Sequence, residues 1–414
     1  MTLKDHRDYE ITGATVVALD AFERALAAFQ SWRSGAETYL ERALLEAPSF
    51  TMAHVLNAYL CLCSRDVRRV RLARSAHAQA SRLRTNAREQ LHIAAIGAAI
   101  ADDYETAKAL LGGILREYPR DVLALQVAHT LDYLTGDVER MADRVPSILR
   151  VWSQQLPGYH AVLAMHAFSL VECANYQQAA DIGSYALQLN PFDARAQHAL
   201  AHVYEMTENP AAGVRWMNDR AAFWACNTVV ATHCWWHLAL FHLTLGEVDR
   251  ALALYDERVR SGYSLEVADM IDASALLWRI ELLGANTDGR WVELAAAWAR
   301  RAADGFCSFN DLHAMLALVG ARDWARADDL ENELMRCQDL ATRHGETTRL
   351  IGLPTCRAVN AFGRGDYART IELLGSLPAK AQRIGGSHAQ RDVLYLTLLK
   401  AIERIRRPQL RIAA

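Results

Sequence analysis

A short motif recurs at nearly constant spacing from one end of this chain to the other. A polar pair, then an aromatic residue or valine, then a small residue three positions on, appears at Asp103-Tyr104 with Ala107, Asn175-Tyr176 with Ala179, Glu247-Val248 with Ala251, Asp323-Trp324 with Ala327 and Asp366-Tyr367 with Thr370. Weaker copies at Arg33, Val67, Val138, Pro210 and Trp291 fill the gaps. Neighbouring markers then stand 34, 37, 34, 38, 34, 38, 43, 33 and 43 residues apart. A period of this length signals a stack of one supersecondary unit, because a single unit cannot bury its own apolar face.

The residues after the marker identify the unit. Small or apolar residues four and seven positions beyond the small residue, followed by proline, occur as Leu111, Ile114 and Pro119 and as Gly183, Ala186 and Pro191. That is the tetratricopeptide pattern: small residues let two helices approach, and the proline ends the second one. Pro210 replaces the aromatic marker, which the first turn of a helix tolerates because that N–H has no helical partner. The expected fold is all-α, a tetratricopeptide-repeat-like α-solenoid: a superhelix of about ten helix-turn-helix units with a C-terminal capping helix, His388 to Arg404. With 52% hydrophobic residues, nine prolines and 22 glycines, and no long Gly/Ser/Pro stretch, residues 1–414 read as a single continuous domain.

A formal net charge of −3 makes no general case for nucleic-acid or membrane binding. The basic run Arg404 to Arg411 reads as a solvated tail. Charges in Met1-Thr2-Leu3-Lys4-Asp5-His6 stand where a signal peptide needs an apolar core, and no apolar run is long enough for a membrane span, so a cytoplasmic location is expected. The eight cysteines form no C-x-x-C pair and read as reduced, mostly buried residues with no cysteine zinc site.

Of 15 histidines, 12 fall on first helices or the cap: 54, 92, 129, 160, 166, 198, 202, 233, 237, 242, 313 and 388. First helices line the hollow side of such a stack, so the imidazoles are aimed at a lumen. The richest segment is Gln197 to Met206. Offsets of four and seven place His198, His202 and Glu205 on one helical face. Counted back from Pro210 as the seventeenth position, they occupy positions 5, 9 and 12, the groove-facing stripe. The next first helix carries His233 and His237, again four apart, with Trp236 at position 5.

Three readings of this constellation stay open at the level of sequence. A histidine pair with a carboxylate, His198, His202 and Glu205, suits zinc or another first-row divalent metal that activates water near neutral pH. Without metal, the imidazoles beside Glu205 could do acid–base work on a ligand held against Trp236. The third reading is a set of histidines that simply fill helix interfaces. No H-E-x-x-H is present, so the metalloprotease pattern is absent.

Other polar groups could reach the same lumen. Phe309-Asn310-Asp311-Leu312-His313 begins a first helix, with Asn310 as a cap and His313 pointing inward. Gly385-Gly386-Ser387-His388-Ala389-Gln390-Arg391 starts the last helix, where free N–H groups with Gln390 and Arg391 could hold an anion. Glu172 and His166 extend the polar lining, and Asp272 sits between apolar neighbours.

Several segments lie outside the generic repeat pattern: Arg88 to His92, His198 to Met206, Phe223-Trp224, His233 to Leu240 leading to Ala251 to Asp256, Phe309 to His313, Gly352-Leu353-Pro354 and Gly385 to Asp392. In this order, and over nearly the whole chain, they resemble the tetratricopeptide repeat protein 38 family. The resemblance implies an all-helical, soluble solenoid and assigns no catalytic role, since the family has no settled activity. Its pattern covers His198, His202, Glu205, His233, Trp236, His237, Asn310, Asp311 and His313, and Glu172 matches as well. His166 and His388 depart from it, which weighs against an essential role for His388.

The functional expectation is a small-molecule-binding protein with a His/Glu/Trp pocket in the solenoid lumen. Its catalytic centre would be His198, His202, Glu205, His233 and His237, using acid–base or metal-assisted chemistry of hydrolase or lyase type, with zinc as the candidate cofactor. Trp236, Glu172, Asn310, Asp311, His313, Gln390 and Arg391 are the ligand-binding candidates. The alternative is a non-catalytic scaffold that holds a peptide or partner helix in the concave groove. A protein partner or homo-oligomer is compatible with either.

Overall fold

The computed structural model describes residues 3–287, 289–301 and 306–412, with side chains as far as Arg406. Ten antiparallel helix pairs follow one another: Val16–Gln30 with Ala36–Glu46, Thr51–Leu62 with Val67–Ala80, Ala87–Ile100 with Tyr104–Glu117, Val122–Thr135 with Val138–Leu149, Tyr159–Glu172 with Tyr176–Leu189, Ala194–Met206 with Pro210–Asp219, Ala231–Thr244 with Val248–Leu254, Val267–Leu282 with Arg290–Arg301, Ser308–Gly320 with Trp324–Cys337, and Leu353–Gly363 with Tyr367–Leu374. A long helix, His388–Ile412, ends the series. This is an all-α fold of the tetratricopeptide-like solenoid class.

The recurrent motif marks the start of second helices. Val67, Tyr104, Val138, Tyr176, Pro210, Val248, Trp324 and Tyr367 are each the first residue of one, and Trp291 is the second residue of its helix. Arg33 breaks the rule, since its helix begins at Ala36. The cause is long-range pairing: Arg33 forms a backbone bridge with Thr228, which holds the chain extended where a helix would otherwise start.

One turn geometry recurs between the paired helices. Two residues before the second helix, Arg65, Asp102, Gly136, Ala174, Glu208, Gly246, Arg322 and Gly365 all take positive φ, between 53° and 83°. The next N–H then reaches back to the first helix, as from Asp103 to Ala98, Asn175 to Leu170, Glu247 to His242 and Asp366 to Ala361, at 2.8 to 2.9 Å. This is the Schellman closure, which satisfies orphan carbonyls at a helix end. Asp66, Asp103, Asp137, Asp323 and Asp366 then cap the second helix with their carboxylates. The small residues of the motif, Ala107, Ala179, Ala251, Ala327 and Thr370, are fully buried between the paired helices.

Packing sorts the chain into two compact units, Met1–Tyr133 with Asp137–Cys234, and Leu134–Gly136 with Trp235–Ala414. The boundary near residue 234 cuts through the continuous helix Ala231–Thr244. In the first unit the turn after the first helix is bonded to the region of the sixth and seventh pairs. Ala194 N–H donates to Ser31 at 3.1 Å, Val229 N–H to Trp32 at 3.0 Å, and Ser34 N–H to Asn227 at 2.9 Å. The second unit is organised around Trp236, Trp278 and Phe309, all at most 2% exposed. There the last helix is pinned by Trp278 Nε1–H to Thr397 Oγ1 at 2.9 Å and by Arg279 to the Ala389 carbonyl at 2.6 Å.

The expected solvated tail is corrected at its first residue. Arg404 donates to the Tyr367 hydroxyl at 3.0 Å and lies over Phe362 at 4.8 Å, so an aromatic surface holds its stem. The remainder of the basic run, from Arg407, lies outside the described side chains. None of the eight cysteines forms a disulfide, and four of them are buried. Among the described residues no helix is long and apolar enough to cross a membrane.

Candidate functional site

Two consecutive first helices, Ala194–Met206 and Ala231–Thr244, carry the imidazoles. Asp193 starts the first of them, its Oδ1 accepting from the N–H groups of Arg195 at 3.0 Å and Ala196 at 3.1 Å. From that start His198 and His202 project one turn apart on the same face. Their Nε2 atoms lie 3.0 Å apart and their rings meet edge-on at 4.5 Å. His233 brings its ring to 4.9 Å from His198, and His237 follows one turn later on the same helix, beside Trp236 at 4.9 Å.

Each of the four histidines offers a ring nitrogen, and these donor atoms all lie within 4.8 Å of one another. His202 and His237 are fully buried, His198 is 4% exposed, and His233 is partly buried. A tetrahedral ion with metal–nitrogen bonds of about 2.0 to 2.1 Å needs donor atoms about 3.3 Å apart, a spacing that small side-chain rotations can reach from here. An all-imidazole donor set suits zinc, copper, nickel or iron better than calcium or magnesium.

Aromatic rings wall the cluster. Phe168 stacks on His198 and meets the edge of His202, both at 5.5 Å. Trp32 comes in from the first repeat to 5.3 Å from His198, and the Arg195 guanidinium lies over the Trp32 ring at 4.4 Å from its centroid. Trp32 holds φ at +54°, rare for a bulky residue, and the bonds of the turn at residues 31–34 to the sixth and seventh pairs keep it there.

The remaining sequence candidates fall in different places. Glu205 is partly buried and stands outside the four-histidine group, whose further donors come from the neighbouring helix. Glu172 is buried at the end of the helix Tyr159–Glu172 and is likewise outside the group. The capping role expected for Asn310 is corrected. Asp311 N–H already donates to the Cys307 carbonyl, so Cys307 is the N-cap and Asn310 lies inside the first turn. Asp311 and His313 are buried on that helix, His313 Nδ1 standing 2.7 Å from the Phe309 carbonyl oxygen. At the start of the last helix, Ser387 and Gln390 cap each other reciprocally at 3.1 and 3.3 Å, and Arg391 donates to the Gly386 carbonyl. That helix start is thus closed by its own side chains.

Trp32, Phe168 and Arg195 are absent from the sequence candidates. Arg195 had a local signal, since it lies three residues before His198 and hence on the same face. Trp32 had none, because only long-range pairing brings it here.

His129, on the helix Val122–Thr135, titrates far from its usual range. Burial, reinforced by the positive charge of Arg195, lowers its pKa to about 3, while Nε2 stands 3.2 Å from the Met165 carbonyl oxygen and 3.0 Å from Ser169 Oγ. A base depressed in the fold binds its proton more tightly when unfolded. The stability it contributes is therefore complete above about pH 6.5 and is lost as pH falls from there toward 3. At pH 5 the loss from this group is about 2 kcal/mol. Urea unfolding at pH 7.5 and pH 5 should show a smaller difference in His129→Gln than in the wild type; equal differences would refute the assignment.

No family model matches the sequence. Among solved structures, a thermophilic TPR protein of Thermus thermophilus, TTC0263, is 18% identical, aligned over 46% of this chain and 99% of its own with a TM-score of 0.37. Human IFIT1, solved as a dimer with m7Gppp-AAAA, is 14% identical over 95% of this chain and 94% of its own, TM-score 0.41. Cut9 from the APC/C hetero-tetramer Cut9-Hcn1 is 11% identical over 92% and 76%, TM-score 0.40. Likenesses this distant assign no ligand. The class rests on the ten helix pairs among the described residues, eight of which share one turn geometry. The chain is a tetratricopeptide-like helical-repeat protein.

Proposed function

We propose that this repeat protein binds a first-row divalent metal, zinc before others, through His198, His202, His233 and His237, at the centre of a small-molecule site. The reading rests on one observation: four ring nitrogens within 4.8 Å of one another in a buried, aromatic-walled setting. Bringing four polar rings together costs desolvation that ordinary core packing does not require, and a shared cation offsets that cost. An ion held by three of these imidazoles, or expanded to five-coordinate, would keep a position open and would supply Lewis-acid polarisation of a carbonyl or phosphoryl oxygen, the chemistry of a hydrolase or lyase.

The chain's own residues shape the rest. Phe168, Trp32 and Trp236 exclude water around the imidazoles and offer flat surfaces to an organic ligand. Glu205, on the same helical face as His198 and His202, is the proton carrier at the rim. Membership of the tetratricopeptide repeat protein 38 family and a cytoplasmic location belong to the same reading.

Elemental analysis of protein purified without chelators tests it. The wild type should hold about one equivalent of zinc, copper, nickel or iron, and His198→Ala/His202→Ala should lose it by about a hundredfold in affinity while keeping its helical circular-dichroism spectrum. A wild-type protein that neither retains nor takes up any of these ions would overturn the proposal and leave a helical scaffold for a peptide or protein partner.

A further inference from the structure

The first unit holds a buried guanidinium with no direct ion pair, three residues before the first imidazole of the cluster. Arg195 is 4% exposed, yet among the described residues no carboxylate pairs with its guanidinium. The nearest acidic neighbour in sequence, Asp193, is committed elsewhere: Oδ1 caps the helix, and Oδ2 faces His160 Nδ1 at 2.6 Å. What Arg195 has is one hydrogen bond, Nε–H to the Gln30 carbonyl at 3.2 Å, and the face of Trp32 at 4.4 Å. Its charge is felt at Asp193, Cys63 and His129; of these only Asp193 is negative at neutral pH, and it forms no ion pair with the guanidinium, so burial outweighs it and lowers the Arg195 pKa to about 10. Burial pushes the Cys63 thiol up to about 12, and His129 is held neutral. Buried guanidinium groups are normally matched by carboxylate or phosphate, and an unmatched one is costly to keep. A fold that retains it has kept the four N–H donors of its two terminal nitrogens for an anion.

The geometry links this charge to the cluster. Trp32 touches both, at 4.4 Å from Arg195 and 5.3 Å from His198, and the two residues are three apart on one helix. We propose that Arg195 and Trp32 form the anchoring subsite for a small molecule bearing a carboxylate or phosphate group, whose other end reaches the imidazoles of His198 and His202. The anion takes the fork of Arg195, the body of the ligand lies along Trp32, and the reacting bond is presented to the cluster. The inference rests on the reading that the interior about these imidazoles is a small-molecule site. It names the class of ligand, an organic acid or phosphate ester.

Inorganic phosphate and succinate, each titrated at millimolar concentration against chloride of equal ionic strength, are the probes, with melting temperature and calorimetric binding as readouts. At least one should raise the wild-type melting temperature, and which one does so separates phosphate from carboxylate recognition. Arg195→Met should melt no lower than the wild type without anion, because it removes an unmatched buried charge, and should lose the anion-dependent shift. Arg195→Lys keeps charge without the fork and should bind the effective probe about tenfold more weakly. A shift of equal size in wild type and Arg195→Met would overturn the proposal, as would the absence of any shift in the wild type. If Arg195→Met fails to fold, the tenfold loss in Arg195→Lys decides. Metal content measured on the same samples keeps the two readings apart: retained metal with lost anion binding isolates Arg195, and anion binding without metal leaves this subsite standing alone.

Discussion

Replacing Gly136 by alanine should cost about 3 kcal/mol or more, while the same change at Gly365 should cost about 1 kcal/mol. Both glycines occupy the same position of the same turn, with φ of +68° and +83°. Asp102, Ala174, Glu208 and Arg322 hold that position in other repeats at φ of 53° to 63°, so the backbone conformation alone is tolerable for a side chain. What differs is the surroundings. A Cβ on Gly136 would overlap the carbonyl of Gln382, a backbone group with no rotamer to change, whereas a Cβ on Gly365 would meet nothing within 4 Å. Thermal unfolding of the two variants side by side checks this. Equal losses would show that the turn conformation dominates and that the close approach is unimportant.

Asp121→Asn should destabilise the protein by about 3 kcal/mol through a different mechanism. Asp121 is 3% exposed, with Oδ2 accepting from Arg88 Nη1 at 2.7 Å and facing His92 Nε2 at 3.0 Å, and with Oδ1 accepting from Ala124 N–H at 2.9 Å. Arg88 also reaches Asp5 at 3.3 Å, and His92 Nδ1 stands 3.2 Å from the Tyr59 hydroxyl, so one carboxylate joins the N-terminal segment to three helices. Burial alone would raise the Asp121 carboxyl, but His92 and Arg88 outweigh it and hold it well below the usual carboxylate range. The sign follows: a depressed acid contributes stability above about pH 4 that is lost as pH falls further. The asparagine variant should therefore lose stability at neutral pH and show a flatter acid limb. Arg88→Met combined with Asp121→Asn should cost less than the two single changes added together. A single variant within about 0.5 kcal/mol of the wild type would mean that the pair contributes nothing beyond a neutral contact.

The repeat was legible because its signal is local and recurs ten times. Asp103, Asp323 and Asp366 cap helices where the motif places them, and the residue after each begins the second helix. The expectation failed at Arg33, where a contact nearly two hundred residues away in sequence overrides the local preference. The four imidazoles were likewise readable as two pairs spaced by one helical turn. Their meeting depended on which first helices stand side by side, which the period supplied. Trp32 and Phe168 could not be found this way: an aromatic residue in a turn or on a first helix carries the same local pattern whether it fills a seam or walls a site. Arg195 was missed for another reason. At the start of a helix an arginine ordinarily faces water, and only the arrival of Trp32 and Gln30 from the first repeat puts it inside.

The bonds from the turn at residues 31–34 to Ala194, Asn227 and Val229 bear on how this protein can change over generations. Open repeat arrays grow and shrink by duplication or loss of whole units, because each unit touches only its neighbours. Here a unit gained or lost between the first and the sixth would carry Trp32 out of register with Arg195 and His198. Length variation among descendants must then fall beyond the seventh pair, and the count of repeats before it is inherited as a fixed number.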